Sequence, residues 1–381
     1  PVRKIKFLGV TGNIGMTSIT NVIMLFLTAN GHKTGLIGTI HNEIGDEIIP
    51  TENTTPMAYE LMAVFHKMAA AGCEYVIMEV SSFALVQHRI GPARFKAALF
   101  TNLTQDHLDY HKDMEDYYQA KKMLFDVCDT AVINVDDEYG RRLFGEISCE
   151  KKSFAVGSPA DFSAEVMSLK STGSSFGING GAVINSPVPG MFNVSNILAA
   201  YAACSIIGLP EDKIVRAVEE FKGVRGRCEV IPTGRDFTVI CDYAHTPDAV
   251  ENILKSVKEY TEGRLICLFG CGGNRDGAKR PKMAAAAAKY ADRLIVTSDN
   301  PRNENPEDII SDILKGLKNT ETPYDVVVDR REAIYYGLKI AEKGDIIVLA
   351  GKGHEDYQIL AGMKHIHFDE REVVAEGLKL L

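Results

Sequence analysis

The sequence predicts an α/β protein of two domains: a larger P-loop-type domain with a mostly parallel sheet, then a smaller Rossmann-like domain. Three observations carry this. Short apolar runs rich in β-branched residues alternate with longer helical stretches along the 381 residues, the pattern of β-α-β units. The first run, KIKFLGV, leads through GVTGNIGMTS (9–18) into an apolar helical stretch, where such folds keep a phosphate loop. The alternation restarts at FTVICDY, after GVRGRCEV, which divides the chain into 1–228 and 229–381.

In chain order, KIKFLGVTG is the first strand and SITNVIMLFLTANG the first helix; HKTGLIGTI is a strand, MAYELMAVFHKMAAAG a helix, and EYVIMEVSS, FKAALFTNL and TAVINVDD are strands. Residues 151–190 are richer in Ser and Gly with alternating small strands, predicting a β-meander or a small antiparallel appendage, and SNILAAYAACSIIGL then reads as a helix. The second half gives strand FTVICDY, helix PDAVENILKSVKEY, strand RLICLFG, helix KRPKMAAAAAKY, strand DRLIVTSD, helix PEDIISDILKGL, strand YDVVVD, a further helix and strand DIIVLAGKG. Ligands of such sheets bind at the carboxyl ends of strands, and every polar cluster below follows one.

Composition narrows the function. With 45% hydrophobic and 24% charged residues the chain is an ordinary soluble protein. A net charge of -9 argues against nucleic acid, whose phosphates are met by clustered Lys and Arg. The eight cysteines are scattered without a CxxC, so reduced thiols in a cytosol are expected rather than disulfides or zinc. There is no apolar run of about 18 residues and no signal-peptide pattern. The reading is cytoplasmic, without membrane or nucleic-acid partners.

Gly12 and Gly15 let the loop turn so that backbone amides and a helix amino terminus face an anion. Thr17 or Ser18 would offer a hydroxyl to Mg2+. The strict G-x-x-x-x-G-K-[ST] pattern is not met, since Val10 stands at its first glycine and Met16 at its lysine. The alternative is a plain glycine turn opening a helix.

Further along, Glu52, Asn53, Thr54 and Thr55 form a polar loop after a strand, with a helix cap at Thr54 or Thr55 as the other reading. MEVSS (78–82) brings Glu79 out of a buried strand, costly unless the acid is paired or metal-bound. TNLTQDHLDYH (101–111) gathers Asp106, His107, Asp109 and His111, and Lys121 sits on a helix, where lysine usually means a solvated face. Asn193 and Asn196 open a helix, and Asp242 and His245 follow a strand. Arg275, Lys279 and Arg280 crowd the start of a helix, where the dipole disfavours cations, so an anionic ligand fits there. SDNPRNENP (298–306) makes a stiff turn around Arg302, whose planar fork suits a carboxylate.

TGNIGMTS resembles the TGTNGKT(S/T) loop of the Mur ligases, ATP-dependent enzymes that add amino acids to the peptidoglycan stem, and the likeness continues through nearly the whole chain. DNPR resembles the motif of the members that add meso-diaminopimelate. The resemblance implies a central P-loop-type ATPase domain holding ATP through Gly12, Gly15, Thr17, Ser18, Asn193, Asn196 and Asp242, with Arg227 reaching the phosphates. It implies Mg2+ at Thr17, Glu79, His107 and a carbamylated Lys121, and catalytic roles for Lys121, His107 and Arg227. The muramoyl substrate would meet Glu52, Asn53, Thr54, Thr55, Ser81, Gln87 and Arg89; diaminopimelate would meet Arg275, Asp299, Asn300, Arg302, Gly351 and Glu355. The expected product is an amide made through an acyl phosphate on UDP-N-acetylmuramoyl-L-Ala-D-Glu or a related acid, by a monomer. Phe83 stands where close relatives have histidine.

Other features depart from the family. Asn13, Ile14 and Met16 replace Thr, Asn and Lys of the loop; removing one preorganised cation is worth roughly 3 kcal/mol of transition-state stabilisation. The family's amino-terminal UDP-binding domain has no counterpart in these residues. The alternative expectation is therefore a catalytically impaired paralogue acting as a binding or regulatory module.

Overall fold

The computed structural model describes residues 4–108 and 110–381, so Asp109 lies outside the described residues. Two compact units result: 1–168, 173–187 and 191–222 form the first, and 169–172, 188–190 and 223–381 the second.

The first unit is built on β1 (Lys6–Thr11), β2 (Thr34–Ile37), β3 (Asn42–Ile44), β4 (Glu47–Ile49), β5 (Tyr75–Glu79), β6 (Phe95–Phe100), β7 (Cys128–Asn134), β8 (Glu150–Ala155), β9 (Phe162–Lys170), β10 (Gly173–Ile178) and β11 (Val183–Ser186). These make one eleven-stranded sheet in the order β11-β10-β9-β8-β7-β6-β1-β5-β2-β3-β4. The middle, from β8 to β2, is parallel. Its strands read as unbroken apolar runs because helices cover both faces; YVIME of β5 is buried throughout. Residues 151–190 are not a separate appendage. β8 and β9 continue the sheet in parallel, β9 passes through a two-residue connection into its neighbour β10, and β10 pairs antiparallel with β11, so the reversed strands form one edge of the large sheet.

The helices of this unit are α1 (Met16–Ala29), α2 (Ala58–Ala70), α3 (Ser82–Val86), α4 (Met114–Lys122), α5 (Glu138–Glu146), α6 (Met191–Ile206) and α7 (Glu211–Glu219). Ile19, Val22, Ile23, Phe26 and Leu27 of α1 recur at helical spacing and are all buried, each such side chain contributing about 1.5–3 kcal/mol. Helix α2 is capped at Met57, where Glu60 returns to the backbone amide, so neither Thr54 nor Thr55 is its cap.

The second unit contains β12 (Glu229–Ile231), β13 (Thr238–Asp242), β14 (Leu265–Phe269), β15 (Arg293–Val296), β16 (Tyr324–Val326) and β17 (Ile346–Ala350), in sheet order β12-β13-β17-β14-β15-β16. All neighbours are parallel except β12 with β13. Helices α8 (Pro247–Lys258), α9 (Lys279–Tyr290), α10 (Pro306–Leu314), α11 (Arg330–Ile340) and α12 (Glu370–Leu378) surround it, and β18 (Tyr357–Leu360) pairs with β19 (Lys364–His367) as a separate hairpin. No described helix is long and apolar enough to cross a membrane.

Candidate functional site

In the first unit β1 lies between β5 and β6, so three strand exits sit side by side: Gly12, Val80 and Thr101. Gly12 and Gly15 both have positive φ, and a Cβ on either would lie 1.8 Å from Thr101 Oγ1 or 2.4 Å from Asn196 Oδ1. The loop is braced from β6. Asn102 Oδ1 accepts the amides of Asn13 and Ile14 at 3.3 and 2.9 Å, while Thr101 Oγ1 and Asn102 Nδ2 both donate to Ile14 O at 2.9 Å. Helix α1 starts at Met16 with neither a side-chain cap nor an acid in its first turn, which leaves the positive end of its dipole for an anion. Asn196 therefore touches the loop rather than capping a helix, and Asn193 is buried one turn earlier. Asn13 also serves the fold, since its Oδ1 accepts the Thr104 amide at 3.4 Å.

Glu79, buried at the β5 exit, is held by hydroxyls and an amide. Thr17 Oγ1 donates to Oε2 at 3.0 Å, Thr39 Oγ1 to Oε2 at 3.0 Å, and the Thr39 amide to Oε1 at 2.8 Å. Thr54 Oγ1 is 3.1 Å from Thr39 Oγ1. One carboxylate among hydroxyl oxygens fits Mg2+, which takes one or two carboxylates together with phosphates and waters. His107 is a different matter: its ring is half exposed beside Asp106 at 3.6 Å and edge-on to Phe83 at 5.2 Å. Among the described residues no three His, Cys, Asp or Glu side chains are gathered as a metal cluster.

Lys121 is not on a solvated face. It is buried on α4, its Nζ donates to Gly12 O at 2.7 Å, and it lies 4.7 Å from the Tyr117 ring centre. Burial pushes it down to about 7 from 10.5, with Asp106 opposing. For a cation with a depressed folded value, the folding penalty is complete below about 7 and fades as pH rises towards 10.5. Lys121→Met should therefore be more stable than wild type at pH 7, with the gap closing by pH 10. Urea midpoints of both proteins across that range test it; a constant gap would refute it.

The muramoyl-side candidates form a second layer. Thr55 Oγ1 donates to Glu79 O at 2.8 Å and accepts the Ser81 amide at 3.1 Å. Ser81 Oγ caps α3 by accepting from Ala84 N. Arg89 reaches Thr55 O at 2.9 Å and holds Gln87 Oε1 with Nε and Nη2. Glu52 and Asn53 project from the exposed tip of the same loop.

The second unit builds its own clusters at strand exits. Asp242 accepts the amides of Cys228 at 2.7 Å and Ala244 at 2.8 Å, tying the GRCE segment to β13 and leaving Arg227 4.8 Å over the Tyr243 ring. Burial raises Asp242, with Arg227 the leading opposing influence. Arg302 holds φ 50°, a region few bulky residues adopt. Its amide donates to Ile359 O at 3.0 Å and its Nη1 to Gly273 O at 2.9 Å. Arg275 and Arg302 both flank Gly272. In the same turn as Arg302, Asn300 Nδ2 donates to Glu355 Oε2 at 3.0 Å, and Gly351 borders Asp299. Arg280, grouped with the anion-facing cations on sequence, is instead buried and paired with Glu304 at 2.8 Å and Asp312 at 2.9 Å. Lys279 donates to His245 O at 3.0 Å.

Residues 10–204 match the Mur ligase middle domain and residues 226–353 the Mur ligase, glutamate ligase domain. The chain belongs to the Mur ligase family. This Mur ligase is 45% identical over 388 residues to UDP-N-acetylmuramoyl-L-alanyl-D-glutamate–2,6-diaminopimelate ligase 1 of Clostridium acetobutylicum, the match covering 100% of this chain and 80% of that protein. Identity to the corresponding ligase of Clostridioides difficile is 46% over 385 residues, 99% of this chain and 79% of that protein. A solved UDP-N-acetylmuramoyl-L-alanyl-D-glutamate–2,6-diaminopimelate ligase superposes with a TM-score of 0.72 at 33% identity, over 99% of this chain and 78% of that one.

Sequence reasoning passed over several residues at the strand exits of each unit of this Mur ligase. Thr39, which grips Glu79, belongs to an unremarkable strand end, LIGTI. Thr101 and Asn102 stood inside a recognised stretch, but their bracing of the loop is a contact across almost ninety residues. Lys352 and Arg330, both wholly buried, gave no signal beyond being charged.

Proposed function

We propose that this Mur ligase adds meso-diaminopimelate to UDP-N-acetylmuramoyl-L-Ala-D-Glu, activating a carboxylate of that muramoyl dipeptide as an acyl phosphate and releasing ADP. One observation carries the choice of amino acid. In the second unit Arg302 and Arg275 stand beside Gly272 while Glu355 is tied to Asn300 of the same DNPR turn, so cations and an anion of one neighbourhood suit a ligand bearing both charges. The identity to diaminopimelate ligases over the full chain supports the same reading.

Glu79, Thr17 and Thr39 would hold Mg2+, while the amide end of α1 and the loop glycines would cradle the phosphates. ATP with Mg2+, when bound, supplies the phosphoryl group and neutralises its charge. Arg227, over the Tyr243 ring in the second unit, is the residue that the family resemblance assigns to the phosphates. Burial pushes Lys121 down to about 7, which favours the free amine, the form that reacts with CO2, in keeping with the carbamate the family resemblance implies. Thr55, Ser81, Gln87 and Arg89 would grip the muramoyl dipeptide. Phosphorylation turns the carboxylate oxygen into a good leaving group; the diaminopimelate amine then attacks the acyl carbon, the C–O bond to phosphate breaks, and inorganic phosphate and a proton depart, leaving the amide.

The test is ADP release by the purified chain with UDP-N-acetylmuramoyl-L-Ala-D-Glu, ATP and Mg2+, with and without meso-diaminopimelate, with the product weighed by mass spectrometry. A muramoyl tripeptide formed only with diaminopimelate supports the proposal, and none at millimolar substrates rejects it. Arg302→Ala should raise the diaminopimelate Kd by about tenfold to a hundredfold, as for a charge-assisted fork worth about 1.5–3 kcal/mol, measurable by calorimetry without turnover. Met16 favours a second reading, a weakly catalytic paralogue that binds nucleotide and amino acid; binding of both without ADP release would identify it.

A further inference from the structure

Lys352 follows Gly351 at the exit of β17, and its side chain is fully buried. Its Nζ donates to Tyr357 O at 2.7 Å and to Asn300 Oδ1 at 3.0 Å, and lies 3.3 Å from Asp299 Oδ1 and 3.6 Å from Glu355 Oε2. Asn300 in turn donates its amide to Glu355 Oε2 at 3.0 Å, while its Oδ1 also accepts the Ile359 amide. The ammonium and the Ile359 amide together fix which way Asn300 faces, and the same ammonium meets both carboxylates.

The charge count gives this arrangement a direction. Two largely buried carboxylates on one ammonium would not both stay ionised without further positive charge, and Lys352 with Arg330, itself paired to Glu370, gives two cations for the three acids Asp299, Glu355 and Glu370. The shortage falls on Glu355. Burial raises Asp299, but Lys352 and then Arg330 outweigh it and leave that acid below its ordinary value. Burial raises Glu355 too, and there Lys352 does not outweigh it. Glu355 is the acid with unmet demand for a cation.

We propose that Lys352 is a positioning residue for the amino-acid acceptor. It holds Asn300 and Glu355 in the orientation that receives the ligand's ammonium group while preventing Asp299 from competing for it. The inference rests on the acceptor reading above. It adds a residue that never touches the ligand, yet decides whether the pocket accepts a zwitterionic end in preference to a bare ammonium.

Calorimetry with meso-diaminopimelate, L-lysine and Mg-ATP, on the wild-type chain and on Lys352→Met and Lys352→Gln, tests this. Lys352→Met should weaken meso-diaminopimelate at least tenfold and shrink its advantage over L-lysine. Lys352→Gln, which keeps a donor for Asn300, should recover part of the loss, and the Kd for Mg-ATP should stay within twofold in both. If wild type fails to bind meso-diaminopimelate, the acceptor reading falls and this inference with it. If wild type binds it and both variants match wild type, or lose ATP and amino acid alike, the role of Lys352 is overturned while the acceptor reading stands. Circular dichroism checks folding; should the methionine variant not fold, the glutamine variant decides by the same criteria, with at least a threefold loss of diaminopimelate affinity required.

Discussion

Lysine in place of Met16 is expected to raise kcat on the order of a hundredfold to a thousandfold, with a smaller gain in ATP affinity. Position 16 is the first residue of α1, directly after Gly15 in its left-handed conformation. The loop around it is already formed, braced by Thr101 and Asn102, so the new side chain would meet a site whose donors are in place. A preorganised cation acting where phosphoryl charge develops is worth about 2.7–4 kcal/mol, the source of that range. Steady-state ADP release by the two proteins at saturating substrates is the measurement. An unchanged kcat would mean that the loop cation is supplied by another residue or that a different step limits turnover, and would remove Met16 as the reason for expecting a weak enzyme.

The second large effect concerns stability. Glu370 and Arg330 are both wholly buried, 2.7 Å apart, and Arg330 also donates to Ala350 O at 3.0 Å while approaching Ser298 O at 3.4 Å. This guanidinium therefore ties the exit of β17 to the segment after β15, the two stretches that carry Glu355 and Arg302. Glu370→Ala leaves a buried cation without its partner and should cost about 3–5 kcal/mol, seen as a fall in the urea midpoint of the second unit's transition. Replacing both residues by apolar ones of similar volume should cost much less. A single-variant loss under about 1 kcal/mol would show that the pair is solvated in solution.

Much of the architecture was legible because its signals are local. The apolar strands and intervening amphipathic helices gave two mostly parallel sheets, and the clusters around Glu79, Thr101, Asp242 and Asp299 do lie at strand exits, whereas Arg227 precedes β12 and Asn193, Asn196 and Lys121 sit on helices. The short antiparallel edge of β3 and β4, the hairpin of β18 and β19, and helices α5, α7 and α12 were not anticipated; the strands run only three or four residues each, too few to show a period. The site divides the same way. Glu79 was readable as an acid leaving a buried strand, but its grip by Thr39 was not. Arg280 misled because cations at a helix start suggest an anion, and nothing local says that Glu304 and Asp312 return from twenty-four and thirty-two residues away. Lys121 looked like surface because helical lysines usually are; only the fold puts Gly12 above it.

The bracing of residues 13 and 14 by Asn102 has a kinetic corollary. A cradle that is stiff before its guest arrives gives up little conformational entropy on capture, so association should proceed at an ordinary encounter rate whether position 16 bears a thioether or an amine. What that side chain governs is residence: nucleotide should leave the natural protein faster, not find it more slowly.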